Sequence, residues 1–248
     1  MELPFGLAAH QGLWLAAGLL GASYVRGFSG FGFSAIFIAF AALFTNPVPL
    51  IPAIFVCEIV MTTFLVKAVW HDVDWARVAA LTLGAAVAIV PSVWVMARLD
   101  PEVARVVVAG LIFCLGLFLL SGWQMTRPVG RTGFAVAGGF SGMINAAGIG
   151  GLPAAAFLTA QPMTPATFRA VLVIYLCALD MMSLPVMGLN GLVSSDTFVG
   201  AALAFPILGL GIWLGHRGFG RISPQAFRRF AILILLFLSA LALTRAVI

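Results

Sequence analysis

Long apolar runs separated by short polar connections make up most of this chain, and a helix needs about 20 such residues to cross a bilayer. A transmembrane β-barrel would show alternating strands of about ten residues instead. The predicted fold class is therefore all-α, a polytopic membrane protein with about eight transmembrane helices, some of them broken or re-entrant. The predicted spans are residues 11–26, 33–66 with a break after 44, 76–97, 103–124, 133–160 with breaks, 165–187, 197–215 and 227–246.

Composition supports this class and excludes others. Hydrophobic residues form 62% of the chain and charged residues 8%, whereas a soluble domain carries about 25% charged residues. The formal net charge is +5, but the basic residues lie mostly in short loops. That placement is typical of topology determinants, so no nucleic-acid partner is expected.

One short phrase occurs twice. Gly27-Phe28-Ser29-Gly30 returns as Gly139-Phe140-Ser141-Gly142, and each copy is followed by apolar sequence and a Pro-rich break. A polar connection at residues 125–131 separates the copies. We therefore predict two pseudo-symmetric halves, residues 1–126 and 127–248, with about four transmembrane segments each. The halves are parallel if all segments span and inverted if one is re-entrant, which the sequence leaves open.

The repeated phrases and breaks interrupt helices at matching places. Proline lacks an amide proton and frees backbone carbonyls, which inside a membrane must be buried in protein or face a wet cavity. Such interruptions in both halves are typical of a substrate site between repeats of a transporter. The alternative for the glycines is close helix packing.

Four ionisable residues fall within or at the ends of the spans: Arg26, Glu58, Arg169 and Asp180. Each needs a partner or a wet cavity. One arginine in each half suits an anionic ligand, because a guanidinium binds oxyanions bidentately. The alternatives are a topology role for Arg26 and an ion pair with Glu58 or Asp180 for Arg169. The two carboxyls are candidate proton carriers or counter-charges of the arginines.

The Gly-x-Ser-Gly phrase also resembles the nucleophile motif of rhomboid intramembrane proteases, which is the alternative function in the class of enzymes. That chemistry needs a histidine base within reach. His10, His71 and His216 all fall in predicted loops or at span ends. No metal-ligand spacing and no nucleotide-binding phrase is present. We therefore expect no catalytic residues, no metal and no cofactor.

The glycine phrases also carry a family resemblance. The run from Arg26 to Phe33 resembles the first signature of the TauE/SafE sulfite exporter family, and Gly138–Gly142 followed by Gly148–Pro153 resembles the second. Arg169-Ala170 after the second break is a further similarity. The resemblance implies a transporter of small organic or inorganic anions, often sulfite, sulfoacetate or other sulfonates.

The predicted function is a multi-pass secondary transporter of the inner membrane, an exporter of sulfite or organosulfur anions that works by alternating access. A proton or sodium ion is the possible coupling partner, with Glu58 and Asp180 as proton-coupling candidates. The predicted substrate-binding residues lie around the two glycine phrases and the second break: Arg26, Ser29, Gly30, Phe31, Gly32, Ser141, Gly142, Asn145, Gly148, Gly150, Gly151, Arg169 and Tyr175.

Overall fold

The computed structural model describes residues 4–29, 32–122, 125, 129–218 and 224–247, with the side chains of all of these except 28, 29, 68, 216–218, 224–230 and 245–247. The described residues form ten α-helices and no β-strand, so the all-α class is confirmed. The helices are α1 (Ala9–Ser29), α2 (Phe33–Ala41), α3 (Ile51–Val69), α4 (Trp75–Met96), α5 (Pro101–Leu120), α6 (Arg131–Asn145), α7 (Gly151–Thr159), α8 (Pro165–Leu189), α9 (Ser195–Gly218) and α10 (Pro224–Val247).

Five apolar segments of the described residues are long enough to cross a membrane: Val48–Lys67, Trp75–Met96, Pro101–Leu120, Pro165–Leu189 and Ser195–Gly215. Helix α10 adds a shorter apolar stretch, Ala231–Thr244. The protein is therefore a multi-pass helical membrane protein. The total of eight spans stays a prediction.

The predicted breaks fall between helices. Residues 42–50 separate α2 from α3, and residues 146–150 separate α6 from α7. Helices α2 and α7 are both nine residues long, about 13 Å and too short to span a bilayer. Each follows a glycine in the left-handed region, Gly32 (φ 86°) before α2 and Gly148 (φ 73°) shortly before α7. Only glycine adopts this conformation without steric cost, so these two residues permit the turns into the short helices.

The longer helices start at recognisable caps. The Asp74 side chain accepts a hydrogen bond from the Arg77 amide at the start of α4. Asp100 caps α5, and Thr164 caps α8, each followed directly by a proline at the first helical position. Capping side chains satisfy amides that the helix leaves without partners, and proline has no amide there to lose. The boundaries of these helices are thus encoded locally.

Two groups of helices run in opposite directions. Helices α1 and α9 are parallel, since Phe5 and Gly27 meet the start and the later part of α9. Helix α3 lies beside α9, where the Cys57 thiol reaches the Ala201 carbonyl. It runs in the same direction as α9, because it packs antiparallel on α8 and residues 190–194 turn the chain back from α8 into α9. Helices α4, α6 and α8 are also mutually parallel, since Gly138 meets Leu81 and Gly142 meets Ala85, and Arg98 after α4 bonds Asn190 after α8.

The two groups meet where α3 packs antiparallel on α8. The end of α3 meets the first part of α8, with Val69 in one apolar cluster with Ala170 and Val173. Glu58, early in α3, faces Asp180 in the second part of α8. Helices α5 and α10 are antiparallel as well.

Backbone-to-backbone packing holds α4 on α6 and α1 on α9. A Cβ atom added to Gly138 would overlap the Leu81 carbonyl, and one added to Gly84 would overlap the Ala135 carbonyl. Gly27 makes the equivalent approach to the Ile212 backbone. Small residues let membrane helices approach this closely. Part of the glycine content therefore serves packing, the alternative that the sequence left open.

Candidate functional site

Buried polar side chains gather where α1, α3, α6 and α8 meet. In a chain this apolar, such a cluster is the exception that needs an explanation, because buried polar groups are costly without partners. Its members come from both sides of the 125–131 connection. They are Arg26 on α1, Glu58 on α3, Asn145 on α6, and Asp180 and Ser183 on α8.

An ion pair lies at the centre of this buried polar cluster. The Arg26 Nη1 donates to Glu58 Oε1 at 2.7 Å, and each side chain is only 7% exposed. The Thr62 hydroxyl donates to the Glu58 backbone carbonyl one turn earlier in α3, at 2.8 Å, so it is satisfied within its own helix and not by the ion pair. The alternative that Glu58 neutralises Arg169 is not what the structure shows, because Glu58 pairs with Arg26.

Asp180 adds a second carboxyl to the pair. Asp180 is 2% exposed, and its carboxyl lies within electrostatic or hydrogen-bonding range of the Glu58, Asn145 and Arg26 side chains. Its Oδ2 finds no hydrogen-bond partner among the described residues. Two carboxyls thus face each other beside a single guanidinium. This ratio of two carboxyls to one guanidinium determines what the cluster can bind.

The buried polar cluster lies deep within the helices that carry it. Glu58 is about 10 Å along α3 from its first residue and about 16 Å from its last, at about 1.5 Å per residue. Asp180 is about 22 Å from the start of α8 and about 13 Å from its end. These positions are near the middle of helices that are long enough to span.

The connection between α6 and α7 is tied to the cluster by side chains. Asn145 donates through Nδ2 to the Ser183 hydroxyl at 3.0 Å and accepts from the Gly150 amide at 3.2 Å. The Ser141 hydroxyl donates to the Gly150 carbonyl at 2.8 Å. These bonds fix the loop that leads into the N-terminus of α7. A helix N-terminus carries a partial positive charge, which favours anions nearby.

The other predicted site residues lie at varied distances from this centre. Tyr175 is fully buried, and its hydroxyl donates to the Gly138 carbonyl at 3.4 Å. Gly142 packs on Ala85, and Gly151 begins α7.

Several predicted residues are not brought to the cluster. Arg169 lies exposed in the first turns of α8, about 16 Å along the helix axis from Asp180, and forms no ion pair with the described residues. Gly30 and Phe31 lie outside the described residues, as does the side chain of Ser29. Gly32 lines a small apolar cavity with Val25 and Leu152.

Sequence reasoning missed one polar member, Ser183. It is fully buried and receives the Asn145 amide hydrogen bond. A serine within an apolar helix is weak evidence for a functional site, because its hydroxyl can donate to a backbone carbonyl of the preceding turn and needs no other partner. Its position one helical turn from Asp180, on the same face of α8, was the available clue. In the described part of the chain, no group of three metal-ligating side chains lies close enough to hold an ion.

Comparison with known proteins places this arrangement in a family. The sequence model described as Sulfite exporter TauE/SafE matches residues 14–242. A Comamonas testosteroni protein named "Probable inner membrane transporter protein TsaS" is 29% identical over 190 residues, covering 71% of this chain and 74% of its own. A Cupriavidus necator protein named "Probable sulfite/organosulfonate exporter TauE" is 26% identical over 238 residues, 90% of each chain. No solved structure gives a significant match.

The chain is a membrane transport protein and belongs to the TauE/SafE sulfite exporter family, which confirms the resemblance noted in the glycine phrases. Membership in a family of exporters agrees with the prediction that the protein is not an enzyme. It gives no support to the intramembrane protease alternative. In addition, His10 and His71 are exposed at the start of α1 and after α3, away from the buried polar cluster.

Proposed function

We propose that the protein is an inner-membrane secondary transporter of small anions, with sulfite and organosulfonates as the favoured substrates. The sulfur-anion class comes from the family and from the name of the Cupriavidus necator relative. The inner-membrane location comes from the name of the Comamonas testosteroni relative. The observation that carries the proposal is Arg26, a guanidinium buried deep in the helix bundle between elements of both halves.

The proposed anion site is the space around Arg26 and the two short-helix starts. Helix α2 begins a few residues after Arg26, and α7 begins beside Asn145. The start of α2 is thus close to Arg26 along the chain, and the start of α7 is hydrogen-bonded to the buried polar cluster through Asn145. Amides and dipoles at two helix starts, together with one guanidinium, suit a tetrahedral or pyramidal oxyanion. Ser29, Gly30, Phe31 and Gly32 are included as the connection that leads into α2.

The two halves are proposed to be inverted repeats. Each has a long helix, a nine-residue helix and three long helices in the same order. The first and third helices of half one (α1, α3) run opposite to the first and third helices of half two (α6, α8). The fourth helices are also opposite to each other, because α4 runs in the direction of α6 and α9 runs in the direction of α1. A hairpin of one long and one short helix that does not cross the membrane accounts for this inversion. Transporters of this kind alternate access around a site between the repeats.

Thermal unfolding of the detergent-purified protein against a panel of anions tests the proposal. The panel holds sulfite, thiosulfate, sulfoacetate, methanesulfonate, acetate and chloride. A ligand at 100 times its Kd that binds only the folded state adds about 2.7 kcal/mol of apparent stability. We expect a selective rise in melting temperature with sulfur oxyanions and none in Arg26→Ala.

The matched control is Arg98→Ala, which removes an arginine whose guanidinium lies over the exposed Trp94 ring at 4.2 Å. This variant keeps the anion response if the buried guanidinium is the binding group. The same response in Arg26→Ala and in the wild type would contradict the proposed site. No response to any sulfur anion, together with no uptake in vesicles, would contradict the proposed function.

A further inference from the structure

One guanidinium and two carboxyls form the charged part of the buried polar cluster. With both carboxyls ionised, its net charge is −1, which opposes the binding of an anion. An uncompensated charge is also costly at this depth. A single proton on Glu58 or Asp180 brings the cluster to neutrality. The Oδ2 of Asp180 is buried with no hydrogen-bond partner among the described residues, so a negative charge on this oxygen is poorly compensated and a proton there removes the cost.

Other titratable groups near the carboxyls are the thiols of Cys57 and Cys177 and the phenol of Tyr175, which are uncharged in their usual form near neutral pH. Charged side chains on the surrounding elements lie at helix ends in the described part of the chain. They are Lys67 and Asp72 around the end of α3, Asp74, Arg77 and Arg98 around the two ends of α4, Arg131 at the start of α6, Arg169 near the start of α8 and Asp196 at the start of α9. The charge balance of the cluster therefore depends on Arg26, Glu58 and Asp180.

We infer that this protein carries one proton together with each monovalent anion, in the same direction, with the proton held by the Glu58–Asp180 carboxyl pair. The inference rests on the proposed function. Before binding, Glu58 Oε1 occupies the guanidinium at 2.7 Å, as a substrate oxyanion would. An anion that binds Arg26 displaces this carboxylate and adds one negative charge. One further proton on the carboxyl pair restores neutrality.

The cycle balances in protons and charge. The anion-free cluster holds one proton, with Arg26 paired to Glu58. The anion-bound cluster holds two protons, with Arg26 paired to the anion. Net movement is one proton and one monovalent anion, which carries no charge across the membrane. A pH gradient therefore drives the flux of a monovalent anion, and the membrane potential does not.

Substitutions of the two carboxyls separate this coupling from simple anion binding. In Glu58→Gln the cluster is neutral without a proton, and Asp180 takes one when the anion binds. Asp180→Asn behaves in the same way through Glu58. Either single variant therefore keeps the coupling. The double variant Glu58→Gln/Asp180→Asn has a fixed charge of +1, binds an anion without a proton, and becomes a carrier that the membrane potential drives.

The test uses full-length protein in sealed liposomes with labelled methanesulfonate, a strong acid that carries no proton of its own. An outside-acid gradient of one pH unit at zero potential should drive about tenfold accumulation by the wild type and both single variants. An inside-positive potassium diffusion potential at equal pH should drive none. The double variant should show the reverse pattern. Glu102→Gln removes an exposed carboxyl on α5 and should match the wild type.

Two results would overturn the coupling while leaving the proposed function intact. One is wild-type accumulation that follows the potential and ignores the pH gradient. The other is a double variant that still accumulates methanesulfonate with the pH gradient.

Labelled sulfite is measured in parallel. Sulfite is a weak acid and can carry a proton itself, so its accumulation by the double variant is subtracted as the reference. If the wild type carries neither anion under any gradient, the proposed function fails, and the coupling fails with it. If the double variant does not fold, the wild-type response to the two gradients decides alone.

Discussion

The Arg26 guanidinium and the Glu58 carboxylate are 2.7 Å apart and almost fully enclosed. Removing one partner leaves the other buried without its counter-charge. We expect Arg26→Ala to lower the free energy of unfolding by about 3–5 kcal/mol, because Glu58 and Asp180 then face each other with no cation. Thermal unfolding in detergent measures the loss.

An exposed pair on the same protein is the reference for this prediction. Glu102 is 3.9 Å from Arg105, and its side chain is 75% exposed. Solvent screens such a pair, so Glu102→Ala should change stability by no more than about 0.5 kcal/mol. If Arg26→Ala and Glu102→Ala cost the same, the buried ion pair stabilises the folded protein no more than the exposed one does.

Close packing at Gly138 predicts intolerance of a single methyl group. A Cβ there would overlap the Leu81 carbonyl, and backbone cannot move aside as a flexible side chain does. We expect Gly138→Ala to lower the free energy of unfolding by about 1–3 kcal/mol, the usual cost of overpacking. Yield and melting temperature in detergent are the readouts.

The matched substitution is Gly110→Ala on α5, where an added Cβ meets nothing within 4 Å. Alanine in an open helical position should stabilise by about 0.5–1 kcal/mol. The two variants make the same chemical change with opposite expected signs. A stabilising effect at Gly138 would contradict the backbone contact between α4 and α6.

The hydrogen bond between Asn145 and Ser183 predicts energetic coupling between α6 and α8. Each alanine variant leaves a buried polar group without a partner, at a cost of about 1–3 kcal/mol. The double variant should cost less than the sum of the two, with an interaction energy of about 0.5–3 kcal/mol. Thr63→Ala removes an exposed hydroxyl that bonds only within its own helix, and it should have little effect. Additive losses at Asn145 and Ser183 would show that the bond contributes nothing.

Arg169 gives a prediction about which arginine serves the anion. It is exposed near the start of α8, whereas Arg26 is buried beside the carboxyls. We expect Arg26→Ala to abolish anion uptake into liposomes. Arg169→Ala should keep uptake within about threefold of the wild type, less than 1 kcal/mol in transition-state terms. Loss of uptake in Arg169→Ala with normal melting behaviour would instead place an essential anion contact at the start of α8.

Much of the helix layout was predictable because its signals are local. Pro101 and Pro165 begin α5 and α8 within two residues of the predicted starts, and the breaks before α3 and α7 fall at the Pro-rich and Gly-rich segments. Arg26, Glu58 and Asp180 could be selected because an ionisable residue in an apolar run is costly and needs a reason. The family resemblance followed from the same glycine phrases.

The pairing of these residues was not predictable from one sequence. Arg26 was as compatible with a topology role as with a site, and Glu58 with Arg169 as with Arg26. Partner choice depends on how α1 and α3 pack and on the antiparallel placement of α8, which are long-range contacts with no local signature. Ser183 was missed for the same reason, since its value lies in the Asn145 amide on another helix.

The packing of α1 on α9 also means that α1 cannot complete its contacts until the second half of the chain has been synthesised. Helix α1 ends at Ser29, and the helix against which Gly27 packs begins at Ser195. At about 5–20 residues synthesised per second, α1 waits roughly 10 to 30 s for its neighbour. During that time its small-residue face is available to lipid or to a chaperone. The N-terminal half made alone is therefore an unfinished bundle, and the two halves produced as separate chains should become stable only when they are made together in the same cell.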